Sequence, residues 1–277
     1  SRLLARTIRG RSPVPQIFRS RQSLRRVRGQ TGSACCPSCR AALPPGTPEP
    51  DRYLFELGSV LAEDEDWKKA QIVFRRLVDV YPQSPYRFDA KLAIGDSFLG
   101  QGGLASLVQA VNEFQELLRF FPTHPRAAYA QLKIGVAYSE GMLGSDRDQT
   151  STKGAVEAFE LFFELYPDSD LTDEARKWHR TARDRLSEAD FRVGEFYFDA
   201  GWYPGAIIRM RALLADDPAY TDKDAVYFVL AESLTIINEG EEALPYFNQL
   251  IDDYGDSVYA ERARGRIAEI ETQIGKR

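Results

Sequence analysis

Few residues of this 277-residue chain are types that do chemistry, and their spacing does not favour it. All three cysteines, Cys35, Cys36 and Cys39, stand together. Cys36-Pro37-Ser38-Cys39 has the spacing of half a zinc ribbon, in which two Cys-x-x-Cys pairs set four thiolates around one tetrahedral ion. The second pair is missing, and the two histidines, His124 and His179, lie far along the chain without evident partners. A redox dithiol would need a βαβ setting that the flanking sequence lacks. Asp146, Asp148 and Glu157 gather near a turn, where carboxylates read as solvated surface rather than as an acid–base pair. Neither a Gly-rich phosphate loop nor an HExxH motif occurs. The expectation is a non-enzymatic protein with no cofactor and no metal.

The charge is divided unevenly. Residues 1–48 carry ten Arg and no Asp, Glu or Lys, leaving 26 basic against 41 acidic residues in the rest, a net of -15. An acidic body lacks the clustered basic face that a nucleic-acid groove requires, so no nucleic-acid partner is expected. The leader is rich in Pro, Gly, Ser and Arg with scattered apolar residues, a composition that buries no core and reads as a disordered basic leader. No stretch approaches the roughly 18 apolar residues of a membrane span.

The elements that would carry any function are set by one spacing that recurs five times. An Ala is followed four residues later by a large apolar side chain and twelve later by Pro, or once by Gly: Ala70/Phe74/Pro82, Ala110/Phe114/Pro122, Ala155/Phe159/Pro167, Ala206/Met210/Pro218 and Ala243/Phe247/Gly255. Leu77, Leu117, Phe162, Leu213 and Leu250 add a third apolar position seven after each Ala. Upstream of each lies a first-helix signature: Leu54-x2-Leu57-Gly58, Ile94-Gly95, Ile134-Gly135, Val193-Gly194 and Leu230-Ala231. This is the tetratricopeptide (TPR) pattern, and it predicts an all-α TPR-type solenoid of five helix-turn-helix repeats. Small residues let paired helices approach, aromatics fill the space around them, and Pro ends the second helix. Ser84, Ser169 and Ser257 are expected to cap the next helix. The turns of repeats two and three are longer, placing insertions at 100–107 and 141–152. Residues 172–198 read as one long helix joining repeats three and four, its charged first half a solvated face, and 257–274 as a capping helix. The chain thus divides into the leader 1–48, repeats one to three at 49–171, and the long helix, repeats four and five and the cap at 172–277.

A repeat array presents an extended surface suited to a peptide or protein. Helical counting puts Phe55, Leu92, Asp96, Tyr129 and Leu132 on a candidate peptide groove, with Phe191, Glu195, Phe228 and Glu232 continuing it in the later repeats. Aromatic, aliphatic and acidic side chains there suit an apolar, extended peptide.

The departures from a plain array resemble a particular family. Asp146-Arg147-Asp148-Gln149 in the third insertion, Tyr166-Pro167-x-Ser169, Asp184-Arg185-Leu186, Phe191-x-Val193-x-Glu195-x-Tyr197 and Trp202 with Ala206-Ile207-x-Arg209 are similar to the BamD family, outer-membrane β-barrel assembly lipoproteins. The resemblance covers about residues 43–275. It implies a scaffold at the periplasmic face of the outer membrane that binds unfolded outer-membrane protein precursors through its N-terminal repeats. It also implies docking on the periplasmic domain of the barrel subunit BamA, alongside other assembly-complex subunits, with Arg209 at that interface. Family members are anchored by a lipidated Cys after a lipobox. Gly32-Ser33-Ala34-Cys35 supplies the small residues but not the Leu or an apolar h-region, and Cys35 is the lipidation candidate. The alternative is another periplasmic TPR adaptor of cell-envelope or division complexes, whose N-terminal coiled coil residues 1–50 do not show.

Overall fold

The computed structural model describes residues 49–275, among which there are eleven α-helices and no strand. In chain order they run in twos: α1 (Pro50–Glu63) and α2 (Trp67–Val80), α3 (Arg87–Gln101) and α4 (Leu104–Phe120), α5 (Ala127–Glu140) and α6 (Thr150–Leu165), α7 (Thr172–Asp199) and α8 (Tyr203–Asp216), α9 (Lys223–Ile236) and α10 (Gly240–Asp253). A last helix, α11 (Ala260–Ile274), follows. The architecture is all-α and of TPR type, with two compact units that part between Ser97 and Phe98, inside α3.

The recurrent spacing becomes the core. All five alanines of the pattern are 0% exposed, and Phe74, Phe114, Phe159, Met210 and Phe247 are at most 1%. In the first unit Gly58 of α1 lies against the ring of Phe74 so closely that a Cβ there would stand 2.6 Å from its nearest carbon. In the second unit Gly135 meets Phe159 in the same way, and a Cβ on Gly194 would reach Met210 Cε at 2.5 Å. Each second helix stops one residue before the aromatic or acid that leads the Pro or Gly, because Pro cannot continue the ladder.

The serines act one turn earlier than expected. Ser84, Ser169 and Ser257 accept N–H bonds from Tyr86, Leu171 and Tyr259 at 3.1–3.2 Å, closing a short turn ahead of the α-helix rather than capping its first turn. Two of them also link successive repeats: Ser84 donates to Asp51 at 2.7 Å and Ser257 to Asp224 at 2.6 Å. The insertion at 100–107 is not a long turn either. Gly102 and Gly103, both at positive φ (68° and 81°), make the link, and the added residues extend α4 to 17 residues. Only the third repeat carries a true loop.

In the second unit α7 runs 28 residues and belongs to two cores. Ala175, Trp178, Ala182 and Leu186 pack with Leu132, Phe159 and Phe162; Phe191 and Phe198 pack with Met210, Phe228 and Phe247. Its charged first half is not merely solvated. Asp217 stands where the other repeats have Tyr or Phe before Pro or Gly, and its side chain is 5% exposed. It accepts both terminal nitrogens of Arg180 and the hydroxyl of Ser187, the last at 2.6 Å. Arg183 donates to the Asp216 carbonyl at 2.7 Å, and Asp184 takes the Thr221 N–H and hydroxyl at 3.1 and 2.8 Å. Burial opposes the Asp217 charge, but the Arg180 and Ser187 bonds prevail and hold its carboxyl below the usual range.

Two stability outcomes follow. Gly265 has open space around its Cα, so Gly265→Ala should stabilise by about 1 kcal/mol through helix propensity alone. At Gly135 the same gain is opposed by a buried ring, and Gly135→Ala should destabilise by about 1–3 kcal/mol, the range for overpacking. Equal shifts of the two melting curves would contradict the close approach. Asp217→Ala should cost about 3 kcal/mol, and Arg180→Ala/Asp217→Ala less than the two single changes together. Because the folded carboxyl titrates lower than the unfolded one at about 4, its contribution is present above that pH and disappears as pH falls through the lower folded value. Urea midpoints from pH 7 to pH 3 should therefore fall more steeply for the parent than for the Ala variant.

Candidate partner-binding surface

The five residues expected to line a groove divide by burial. In the first unit Phe55 is half-buried, stacked on Tyr86 at 5.2 Å and tilted against Phe74 at 5.9 Å, so one face of its ring is engaged in packing. Asp96 is half-buried. Leu92 is 1% exposed and therefore part of the core, not a groove wall. In the second unit Leu132 is also 1% exposed, packed in the cluster around Phe159 and Phe162. Tyr129 is half-buried between two cations, with Arg126 Cζ 5.5 Å and Lys133 Nζ 5.1 Å from its ring centroid. A cationic rim was not legible in the apolar and acidic residues counted along the helix. Arg126 falls at the helix N-cap, outside the counted face.

Farther along, the groove expectation fails at repeat five. Phe228 is 4% and Glu232 3% exposed because α11 covers them. Tyr259 stacks on Phe228 at 4.8 Å, Arg262 lies 4.4 Å from the same ring centroid, and Arg266 pairs with Glu232 at 2.9 Å. Phe191 and Glu195 of α7 remain accessible.

The loop carrying Asp146-Arg147-Asp148-Gln149 is organised by its last residue. Gln149 donates to the carbonyls of Gly144 and Arg147 at 2.8 and 2.9 Å and accepts from Thr152, which is 0% exposed. Ser145 accepts from Arg192 at 2.8 Å, fastening the loop to α7. Asp146 and Asp148 face solvent, in keeping with a surface role. His179 stands 3.8 Å from the Glu160 carboxylate and edge-on to Phe163, and burial pulls its pKa down. Among the described residues no group of His, Cys, Asp and Glu is placed to hold a metal, and no helix is long and apolar enough to cross a membrane.

Arg209 is exposed on α8, packed against the Gly194 stretch of α7. Burial pushes the nearby Asp190 carboxyl up, and the charge of Arg209 partly draws it back. This helix pair also exposes apolar side chains that residue counting missed: Phe196, Trp202 and Ile208 are each 68–69% exposed and Val193 42%. Its signals were the Ile207-Ile208 doublet, of which a helix can bury only one member, and the Val193/Phe196 pair at three-residue spacing. Cys35 lies outside the described residues.

Comparison with known proteins adds a family to this geometry. Residues 48–239 match the family described as Outer membrane lipoprotein, YfiO. The chain is 24% identical over 195 residues to "Outer membrane protein assembly factor BamD" of Caulobacter vibrioides, covering 70% of this chain and 63% of that protein. It is 22% identical over 196 residues to the protein of the same name from Xylella fastidiosa strain 9a5c, covering 67% and 66%. The chain thus spans less than two thirds of each relative. Among solved structures, the TPR2AB-domain:pHSP90-complex of yeast Sti1 aligns with TM-score 0.47 at 13% identity, over 82% of this chain and 84% of that one. The thermophilic TPR protein TTC0263 of Thermus thermophilus aligns with TM-score 0.33 at 15% identity, over 79% and 99%. With the match running through four of the five repeats and across the loop and the long helix, this chain belongs to the YfiO family of outer membrane lipoproteins.

Proposed function

We propose that the chain is a non-catalytic scaffold of outer-membrane β-barrel protein assembly. The observation that carries this reading is the family match over residues 48–239, joined by two relatives named as BamD assembly factors. Repeats one to three (49–171) receive unfolded barrel precursors, the accessible candidates being Phe55 and Asp96 in the first unit and Tyr129 in the second. Arg126 and Lys133 flank the ring of Tyr129. Repeats four and five (172–277) dock on the periplasmic domain of BamA. Support for this comes from an exposed Arg and three exposed apolar side chains on the same helix pair and its turn, residue types enriched at interfaces. The protein sits peripherally at the periplasmic face of the outer membrane, through lipid on Cys35.

The purified chain should form a complex with the BamA periplasmic domain, and Arg209→Glu should weaken it at least tenfold with an unchanged melting curve. An undiminished Kd would remove Arg209 from the interface. Photo-crosslinks from aromatic-ended barrel peptides should concentrate on repeats one to three, near Tyr129. Crosslinks confined to α8 and α10 would refute the precursor assignment.

A further inference from the structure

Repeats four and five hold a feature that the proposed docking surface does not use. A concave site of about 320 Å³ lies between α7, the turn before α9, and the start of α11, with Phe191, Glu195, Tyr220, Asp222, Asp224 and Tyr259 in its wall. At its edge Glu188 and Arg192 neutralise each other at 3.2 Å, and Arg192 is further held by Ser145. Glu195, Asp222 and Asp224 remain as excess negative charge near the partly exposed rings of Phe191 and Tyr259, with Tyr220, 3% exposed, packed behind the wall. Asp224 accepts the Ser257 hydroxyl, which fixes the carboxylate without neutralising it. The charges acting on Asp222 are all negative: burial first, then Asp224, Asp184 and Glu188, push its carboxyl up. The Tyr220 phenol is raised by burial and by the same carboxylates. The site is short of a cation.

The same unit shows which cation its chemistry suits. Arg262 stands over Phe228, 4.4 Å from the ring centroid, and 3.9 Å from the Glu232 carboxylate, which Arg266 also meets at 2.9 Å. Ring face plus buried carboxylate is how this fold holds a guanidinium. The open site repeats a ring and carboxylates, and its own arginine, Arg192, is committed to Glu188 and Ser145. A guanidinium is planar, weakly hydrated and able to stack and donate at once, which an ammonium is not. Nucleic acid is excluded by the sign of the charge. Among the described residues no carboxylate group is spaced for a metal ion.

We propose that this concavity on repeats four and five receives an arginine side chain from an extended segment of a partner protein, its guanidinium laid on the aromatic wall and donating to Asp222 and Glu195. The bond set is charge-assisted on both carboxylates, so it weakens with salt and disappears with the charge.

The probe is the blocked peptide acetyl-Gly-Gly-Arg-Gly-Gly-amide, titrated into the full ¹⁵N-labelled chain, with the citrulline peptide as its neutral isostere. Saturable shifts are expected at amides 188–195 and 220–225, with the citrulline peptide at least tenfold weaker. Asp222→Asn with Glu195→Gln should weaken arginine binding at least tenfold while the melting curve shows the fold intact. Phe191→Leu, which keeps apolar bulk, should weaken it severalfold. Equal binding of the two peptides, or binding unaltered in the double variant, would overturn the proposal. So would the same shifts produced by calcium chloride alone, which would make this a metal site. Shifts that appear only after removal of residues 1–48 would make the chain's own arginine-rich leader the occupant and overturn the assignment to a partner. Loss of binding with rising protein concentration would do the same in favour of a second copy.

Discussion

Everything in this molecule rests on how near the first helix of a repeat can come to the second. Where Gly58 meets Phe74, Gly135 meets Phe159 and Gly194 meets Met210, there is no room for even one more carbon. The distance between helix axes is thereby set by a hydrogen atom on one side and a ring or thioether on the other. Once that distance is fixed, the second-helix alanines are 0% exposed and the leucines or phenylalanine seven residues on are sealed at 0–3%. Repeat five uses Ala231 against Phe247 instead, both 0% exposed, so the constraint is on smallness and not on glycine as such. Interior packing at near-crystalline density makes this constraint stiff, which is why the spacing survives in every repeat while the residues between vary.

The long helix shows what happens when that unit is interrupted. A 28-residue helix so rich in charged side chains has no reason to stay straight and docked on propensity alone. Two apolar patches fasten its ends to separate cores, and a polar network fastens its middle. Asp217 is central to that network because it occupies a position that is aromatic in repeats one, two, three and five. An aromatic there would pack without direction. A buried carboxylate accepting a two-pronged guanidinium and a hydroxyl fixes both the rotation of α7 and the path of the turn before α9. Directionality is what an ion pair adds where burial of area alone would leave register loose.

The fold was legible in the sequence wherever one side chain had one neighbour set by helical spacing. Five alanines, their partners four and seven residues on, the long helix and the final helix all follow from period and punctuation. Four features did not, because a second element or a backbone conformation outside the helical period decides each. Leu92 and Leu132 fall on the face counted as open, but they are buried by neighbours that one helix does not display. Phe228 and Glu232 read as groove residues until α11 folds over them with Arg262 and Arg266. Extra residues at 100–107 read as a loop, yet two glycines at positive φ make so tight a link that the remainder continues as helix. The charges of α7 read as solvated because their partners, Asp216, Asp217 and Thr221, lie more than 30 residues away.

The second half of α7 explains why repeats four and five carry two surfaces of opposite character. Phe191 and Glu195 are four residues apart and share one side of the helix; Val193 and Phe196, three apart, point to roughly the opposite side. Gly194 lies between these directions and is consumed by the contact with α8. Phe191 and Phe198 also pack against the core of repeats four and five, and Phe191 stays partly accessible. One side is left to join Asp222, Asp224 and Tyr259 in an acidic, aromatic hollow. The other is left apolar beside Arg209, Trp202 and Ile208. A carboxylate-lined hollow selects by charge, whereas a flat apolar surface with one exposed arginine selects by area and a single ion pair. What leaves both sides of α7 uncovered is a helix too long to belong to one repeat.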